Sequence, residues 1–381
     1  MPLLAFAYIA FIGLGLPDPL PGTLWPVLRG DYAQPVAALG ALLLGVSAGT
    51  MAASILSGRA IAAFGTGGVL AGSVGLTALA ALGAAMAPPW WVLVALALLS
   101  GLGAGAVDAA MNVFAAARFQ PRHLNWMHAC WGIGATLSPA IATGLLAAGA
   151  SWRVVYLTIG ALLGALSLAF LLTRARWGGP EPAAGPRLPA LAVLRDPMAR
   201  RQIAAFFVYC GVEAGTGQWL ATILVDGRGA EPATAGAATA LFWAALALGR
   251  IGLGFVVDRM GPDHMLRRAV LAAALASAGF AFAPAGLDLI AVGVLAVALA
   301  PLYPTLMART PARLGASAAT HAVGFQVAAA TLGAGLLPAL LGLAPIAWVP
   351  GLLLGMAVGL AVLVRRIAAS SGGDAGRGRA G

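Results

Sequence analysis

Apolar runs of about 20 residues recur along this chain from end to end. Wound as an α-helix at about 1.5 Å per residue, such a run matches the thickness of a bilayer's hydrocarbon core, about 30 Å. No water reaches backbone N–H and C=O groups there, so a spanning segment must satisfy them itself, as only helices and closed barrels do. Barrel strands would read as alternating segments of about ten residues, and the sequence has none. An all-α membrane protein is therefore expected. The chain is 61% hydrophobic and 9% charged, too few charges for the water-facing surface of soluble domains totalling 381 residues.

Twelve spans are expected, at 3–28, 36–57, 67–87, 90–117, 123–148, 151–173, 202–225, 233–257, 265–284, 287–308, 314–339 and 345–367. The stretch 174–201 is rich in Pro and Arg and too polar to span. It divides the chain into a first bundle (1–175), a cytoplasmic linker (176–201) and a second bundle (202–367), followed by a Gly-rich tail (368–381) expected to be disordered. The N-terminus has no basic region and reads as a first span, not a cleaved signal.

The net charge of +10 does not point to nucleic acid; what matters is where the arginines stand. With even-numbered loops placed inside, only Arg29, Arg153 and Arg228 fall outside. All other arginines, Arg250 among them, are assigned to the cytoplasmic face, which puts both termini in the cytoplasm. The halves look related. Asp18 then Trp25 in the first span parallels Glu213 then Trp219 in the seventh, and "GRAIAAFG" (58–65) parallels "GFVVDRMG" (254–261). Pro139 and Pro338 close the fifth and eleventh spans. Together these favour two pseudo-symmetric six-helix repeats.

Ionisable groups in a bilayer cost roughly 2.5–3.5 kcal/mol each and mark pathways or packed polar contacts. Asp18, Asp108, Glu213, His128 and His321 are such groups. Asp18 stands in "LPDPLPGTLWP" (16–26), where prolines remove backbone donors and bend residues out of α geometry, so a broken first helix is expected. The plainer alternative puts Asp18 at the water-facing end of a kinked helix. In "GLGAGAVDAAMNVF" (101–114), Asp108 and Asn112 share one helix face, and Gly101 with Gly105 lets a neighbouring backbone approach. In "HLNWMHACWGIGATLSP" (123–139), Asn125 and His128 recur at helical spacing, with Trp126 and Trp131 beside them. His128 is either a titrating group near neutral pH or a hydrogen-bonded fixture. In "YCGVEAGTGQW" (209–219), small residues around Glu213 leave room for a ligand. Trp126, Trp131 and Trp219 offer either ring-stacking surface or interfacial anchoring. Cys130 and Cys210 read as buried apolar residues and no metal spacing is found. No phosphate loop is present, so uphill work would need an ion gradient or a partner.

These residues resemble the major facilitator superfamily over the whole chain, and within it the fucose–proton symporter branch and its sugar-transporter-like relatives. "GFVVDRMG" resembles the signature whose Asp and Arg latch the cytoplasmic side, which implies a gate at Asp258 and Arg259; the matching first-half positions are Ala62 and Ala63. "DAAMNVF" resembles a fourth-helix acid–x–x–x–Asn pattern that binds proton or sugar, and "HLNWMH" the Leu-Asn segment that follows. "LPDPLP" resembles a first-helix acid followed by proline, which implies a coupling or binding role for Asp18. "LYPTLMARTPARLG" (302–315) resembles a tenth-helix Tyr-Pro-Thr segment. "YCGVEAGTGQW" looks like a Gly-x-Glu segment where the fucose type carries a neutral amide.

The expectation is a proton-coupled transporter, not an enzyme, taking up a monosaccharide or related small polar solute by alternating access. Asp18, Asp108, Glu213 and His128 are the expected coupling groups. Asp18, Asp108, Asn112, Asn125, Trp126, His128, Trp131, Glu213, Trp219 and Gln326 are the expected substrate contacts. A monomer in the inner (plasma) membrane is expected, with lipids and a small solute as partners, no nucleic acid and no cofactor. Sodium in place of the proton stays open. So do an exporter of amphipathic compounds by proton antiport and a sugar sensor that moves nothing.

Overall fold

A computed structural model describes residues 3–178, 190–284 and 286–377. Linker positions 179–189 and the side chains of Asn125 and Asp258 lie outside the described residues. The described residues are helical throughout, with no strand. The helices are α1 (Leu3–Gly15), α2 (Leu20–Asp31), α3 (Leu39–Ala85), α4 (Trp90–Arg118), α5 (Pro121–Ala147), α6 (Trp152–Thr173) and α7 (Pro197–Thr222). They continue as α8 (Pro232–Met260), α9 (Pro262–Phe282), α10 (Leu287–Leu299), α11 (Leu302–Ala308), α12 (Thr310–Leu314), α13 (Ala316–Leu341) and α14 (Val349–Arg377). Among the described residues, ten helical stretches are long and apolar enough to cross a membrane.

Proline and glycine set the interruptions. The first apolar run is two helices, as the prolines predict: α1 stops at Gly15 and α2 begins at Leu20, after Pro17 and Pro19. At 47 residues, α3 would measure about 70 Å if straight, over twice a bilayer core. Gly65, at φ 69° and ψ 162°, breaks it. The expected spans put a loop at 58–66; helix instead runs on through "GRAIAAF" and the turn is confined to one residue. Pro301 parts α10 from α11 within another apolar run. The last helix reaches Arg377, into the segment from Ala368 that the sequence reading gives to a disordered tail.

The chain divides into two compact units: residues 1–185 with 217–244, and residues 186–216 with 245–381. In the first, α3 packs on α4 and α6, and α1 on α5. The approach of α3 to α4 depends on glycine. A Cβ at Gly101 would lie 2.0 Å from the Val46 carbonyl oxygen, and one at Gly105 2.6 Å from that of Thr50, so only glycine lets these backbones touch. Only the end of α7, from Gly217, and the first half of α8 belong to this unit. In the second unit, α9 packs on α10 and α14. Asp263 at the head of α9 takes Arg309 at 2.8 Å and Arg313 at 2.6 Å, tying α9 to the α11–α12 corner.

Candidate functional site

The first unit's polar centre grows from the break between α1 and α2. Pro17, Pro19 and Pro21 have no N–H to give to a ladder, so the backbone around Asp18 must find partners elsewhere. Two come from α7. Gln218 Nε2 donates to the Asp18 carbonyl oxygen at 2.8 Å, and the Gly22 N–H donates to Gln218 Oε1 at 2.9 Å. The Asp18 carboxylate accepts from Trp131 Nε1, on α5, at 2.8 Å. Trp131 meets Trp243 of α8 edge to face, centroids 5.6 Å apart, and Trp243 lies against Gly217, next to Gln218.

Asp108 lies on α4, near enough to Asp18 for their charges to interact. It accepts from Asn112 Nδ2 at 3.0 Å, the same-face pair that i,i+4 spacing predicts. Asp18, Asp108 and Asn112 are all half-buried, and neither acid forms an ion pair among the described residues. Trp219 is fully buried. Trp126 is 52% exposed, stacked edge-on with His123. His128 is exposed and sets its ring edge-on to Phe11 at 5.1 Å. A cavity of about 50 Å³ beside the break is lined by Pro17, Leu20, Pro21, Ser100 and Tyr156 among others. A larger one, about 260 Å³, lies where α5 ends and α8 begins, between Thr143 and Glu231. The expected substrate contacts line neither.

The second unit holds Glu213, in a charge cluster and not in an open pocket. Arg250 Nη2 lies 3.0 and 3.1 Å from its two carboxylate oxygens. The Tyr209 hydroxyl, one turn back on α7, donates to Glu213 Oε2 and lies 3.4 Å from Arg250 Nη2. Arg250 falls within the apolar stretch Pro232–Leu253, three residues from its end. A lone arginine at that depth costs several kcal/mol, and a buried carboxylate within reach offsets it. Gln326 is fully buried; its Nε2 donates to Thr310 Oγ1 at 3.1 Å, and that hydroxyl lies 3.2 Å from Gln202 Oε1. This cluster joins α7, α12 and α13. Arg259 is exposed near the end of α8.

Three contacts escape sequence reasoning: those of Arg250, of Trp243, and of Gln218, which the sequence offers only as polar-tipped surface beside Glu213. Arg250 had a signal, a single charge framed by glycines in "LALGRIGLG" (246–254). Gln218 and Trp243 had none, because their partners lie on other helices. The cysteines are free, and among the described residues no three of His, Cys, Asp and Glu gather as a metal would need.

Ionisable and amide side chains held inside long apolar helices define a multi-pass membrane protein, which its family makes a transporter and not an enzyme. The Major Facilitator Superfamily model matches residues 4–338, and the chain belongs to that family. Among solved structures the chain is similar to the nucleoside transporter NupG (TM-score 0.74, 15% identity, 96% of this chain and 98% of that one). It is similar to a bacterial homolog of the human lysosomal transporter Spinster (0.75, 14%, 97% and 95%). It is also similar to the E. coli fucose:proton symporter FucP (0.65, 17%, 96% and 98%). At these identities the likeness shows the fold. A search of curated proteins found no match.

Proposed function

We propose that this protein couples proton movement to uptake of a monosaccharide or related small polar solute across the inner (plasma) membrane, as a monomer working by alternating access. The topology that goes with this has twelve spans and both termini in the cytoplasm. The stretch Val36–Ala85 counts as two spans, and α7 is added to the apolar set. The observation that carries the proposal is the pair Asp18 and Asp108: two acids in one unit, half-buried, held by neutral donors and lacking an ion-pair partner among the described residues. Such carboxyls can take up and release the driving proton. Glu213 has Arg250 to balance its charge, so it is assigned to holding α7 to α8, and coupling to the two aspartates. Asn112 and Trp131 then supply hydrogen bonds and aromatic surface to the solute. FucP as a structural neighbour favours a sugar and a proton; NupG as another keeps nucleosides in the test.

The test is uptake of labelled monosaccharides and nucleosides into proteoliposomes under an imposed pH gradient. Accumulation that follows the gradient, and that falls to the undriven level in Asp108→Asn, is the expected result. No uptake of any of these solutes, or full gradient-driven uptake by Asp108→Asn, overturns the proposal.

A further inference from the structure

In an unbroken α-helix the N–H of residue 22 would donate to the C=O of residue 18, closing the ladder by the i to i−4 rule. Here those two groups do not meet. The carboxamide of Gln218 stands between them, its Nε2 on the Asp18 carbonyl oxygen and its Oε1 on the Gly22 N–H. A side-chain amide carries the same donor and acceptor as a peptide group, so Gln218 replaces the missing rung with two bonds of ordinary length. Gly22 lets the α7 main chain at Gln218 come this close, and the amide with it. A Cβ there would lie 2.3 Å from the Gln218 carbonyl oxygen, 2.5 Å from its Cα and 2.6 Å from its Oε1.

We infer that Gln218 is the positioning residue for Asp18: inserted into the helix break, it makes the orientation of the Asp18 carboxyl depend on where α7 stands. Two routes lead from the same turn of α7 to the same acid. Gln218 holds its main chain directly. Gly217 carries the Trp243 ring, which meets Trp131, which donates to the carboxylate. If α7 withdraws, the Asp18 carbonyl and the Gly22 N–H lose their partners together, and each is the other's natural replacement. The break then closes into a continuous turn and swings Asp18 away from Trp131. In both arrangements the Asp18 carbonyl and the Gly22 N–H have a partner, as a switch requires. The small cavity lined by Pro17 and Pro21 gives the turn space to move.

This inference rests on the reading of Asp18 as a coupling acid, so the test separates the two. In full-length protein in nanodiscs, the probe is the proton: infrared difference spectra across a pH titration, with the Asp18 carboxyl band identified by its loss in Asp18→Asn. Gln218→Leu removes the amide. Gly22→Ala keeps the Gln218 side chain but pushes the α7 main chain at Gln218 away from the break. Both are expected to move the Asp18 midpoint by about one pH unit or more, and the double variant by no more than either alone, as for two changes acting on one contact. A second variant reaching the same end by another route guards against a folding defect in the first. An unchanged midpoint in a folded Gly22→Ala, or strictly additive shifts, overturns the role of Gln218. A missing Asp18 band, or full gradient-driven uptake by Asp18→Asn, overturns the reading beneath it.

Discussion

Arg250 stands in a run where nothing else is charged, and its guanidinium pairs with Glu213 from another helix. The two charges are interdependent, which gives an ordered set of outcomes. Removing one partner leaves an uncompensated charge in an apolar interior, at about 3–5 kcal/mol. Arg250→Gln is therefore expected to lower the midpoint of thermal unfolding in detergent by on the order of 10 °C. Arg250→Gln combined with Glu213→Gln is expected to recover most of that loss, because the pair leaves together. Unfolding followed by size-exclusion fluorescence decides it, and a double variant no better than Arg250→Gln alone removes the pair from the account. The acids were legible in the sequence because a carboxyl in a bilayer has few places to go. Their same-helix companions were legible as well: Asn112 four residues after Asp108, Tyr209 four before Glu213. Partners from other helices were not, since Gln218, Trp131 and Arg250 reach these acids across 113 to 200 residues or from a separate helix. No local spacing encodes such a meeting.

Among the elements, breaks were easier to read than lengths. Prolines at 17, 19 and 21 announced the interruption between α1 and α2, since a residue without an N–H cannot continue a ladder. The α3 stretch was harder. "GRAIAAFG" carries an arginine and two glycines and reads as a loop, yet its alanines and isoleucine favour helix, and packing of α3 on α4 and α6 holds it so. The turn falls on Gly65 alone, with φ near +69° and ψ near 162°, a region open essentially only to glycine. Gly65→Ala should therefore cost about 1–3 kcal/mol, whereas Gly58→Ala, within regular helix and with open space around its Cβ, should cost nothing or stabilise slightly. Comparing the two by thermal unfolding isolates backbone strain from added volume; equal effects would remove the strain from Gly65.

For the whole molecule, the apolar repeats specified helices and a membrane, and the family match extends that to a transporter fold. What the repeats do not carry is the balance of charge moved in one cycle, which depends on a few side chains. Asp18 and Asp108 have neutral donors, and Glu213 has Arg250, so a neutral solute moved with one proton on an aspartate carries one net positive charge inward. The membrane potential then acts on the cycle as the pH gradient does. One charge crossing 100 mV is worth about 2.3 kcal/mol, enough to hold roughly a 50-fold gradient of solute. Proteoliposomes with equal pH on both sides and an inside-negative potassium diffusion potential are thus expected to accumulate the solute, with collapse on adding a proton carrier. Omitting sodium from both sides while keeping the potassium gradient should leave accumulation unchanged if the proton is the coupling ion. A transported anion would cancel the proton's charge and make uptake insensitive to potential, and an antiporting exporter would lose solute from the vesicles under the same pH gradient that drives uptake here. The sign and size of the response to potential therefore distinguish the classes of cycle that this fold can perform.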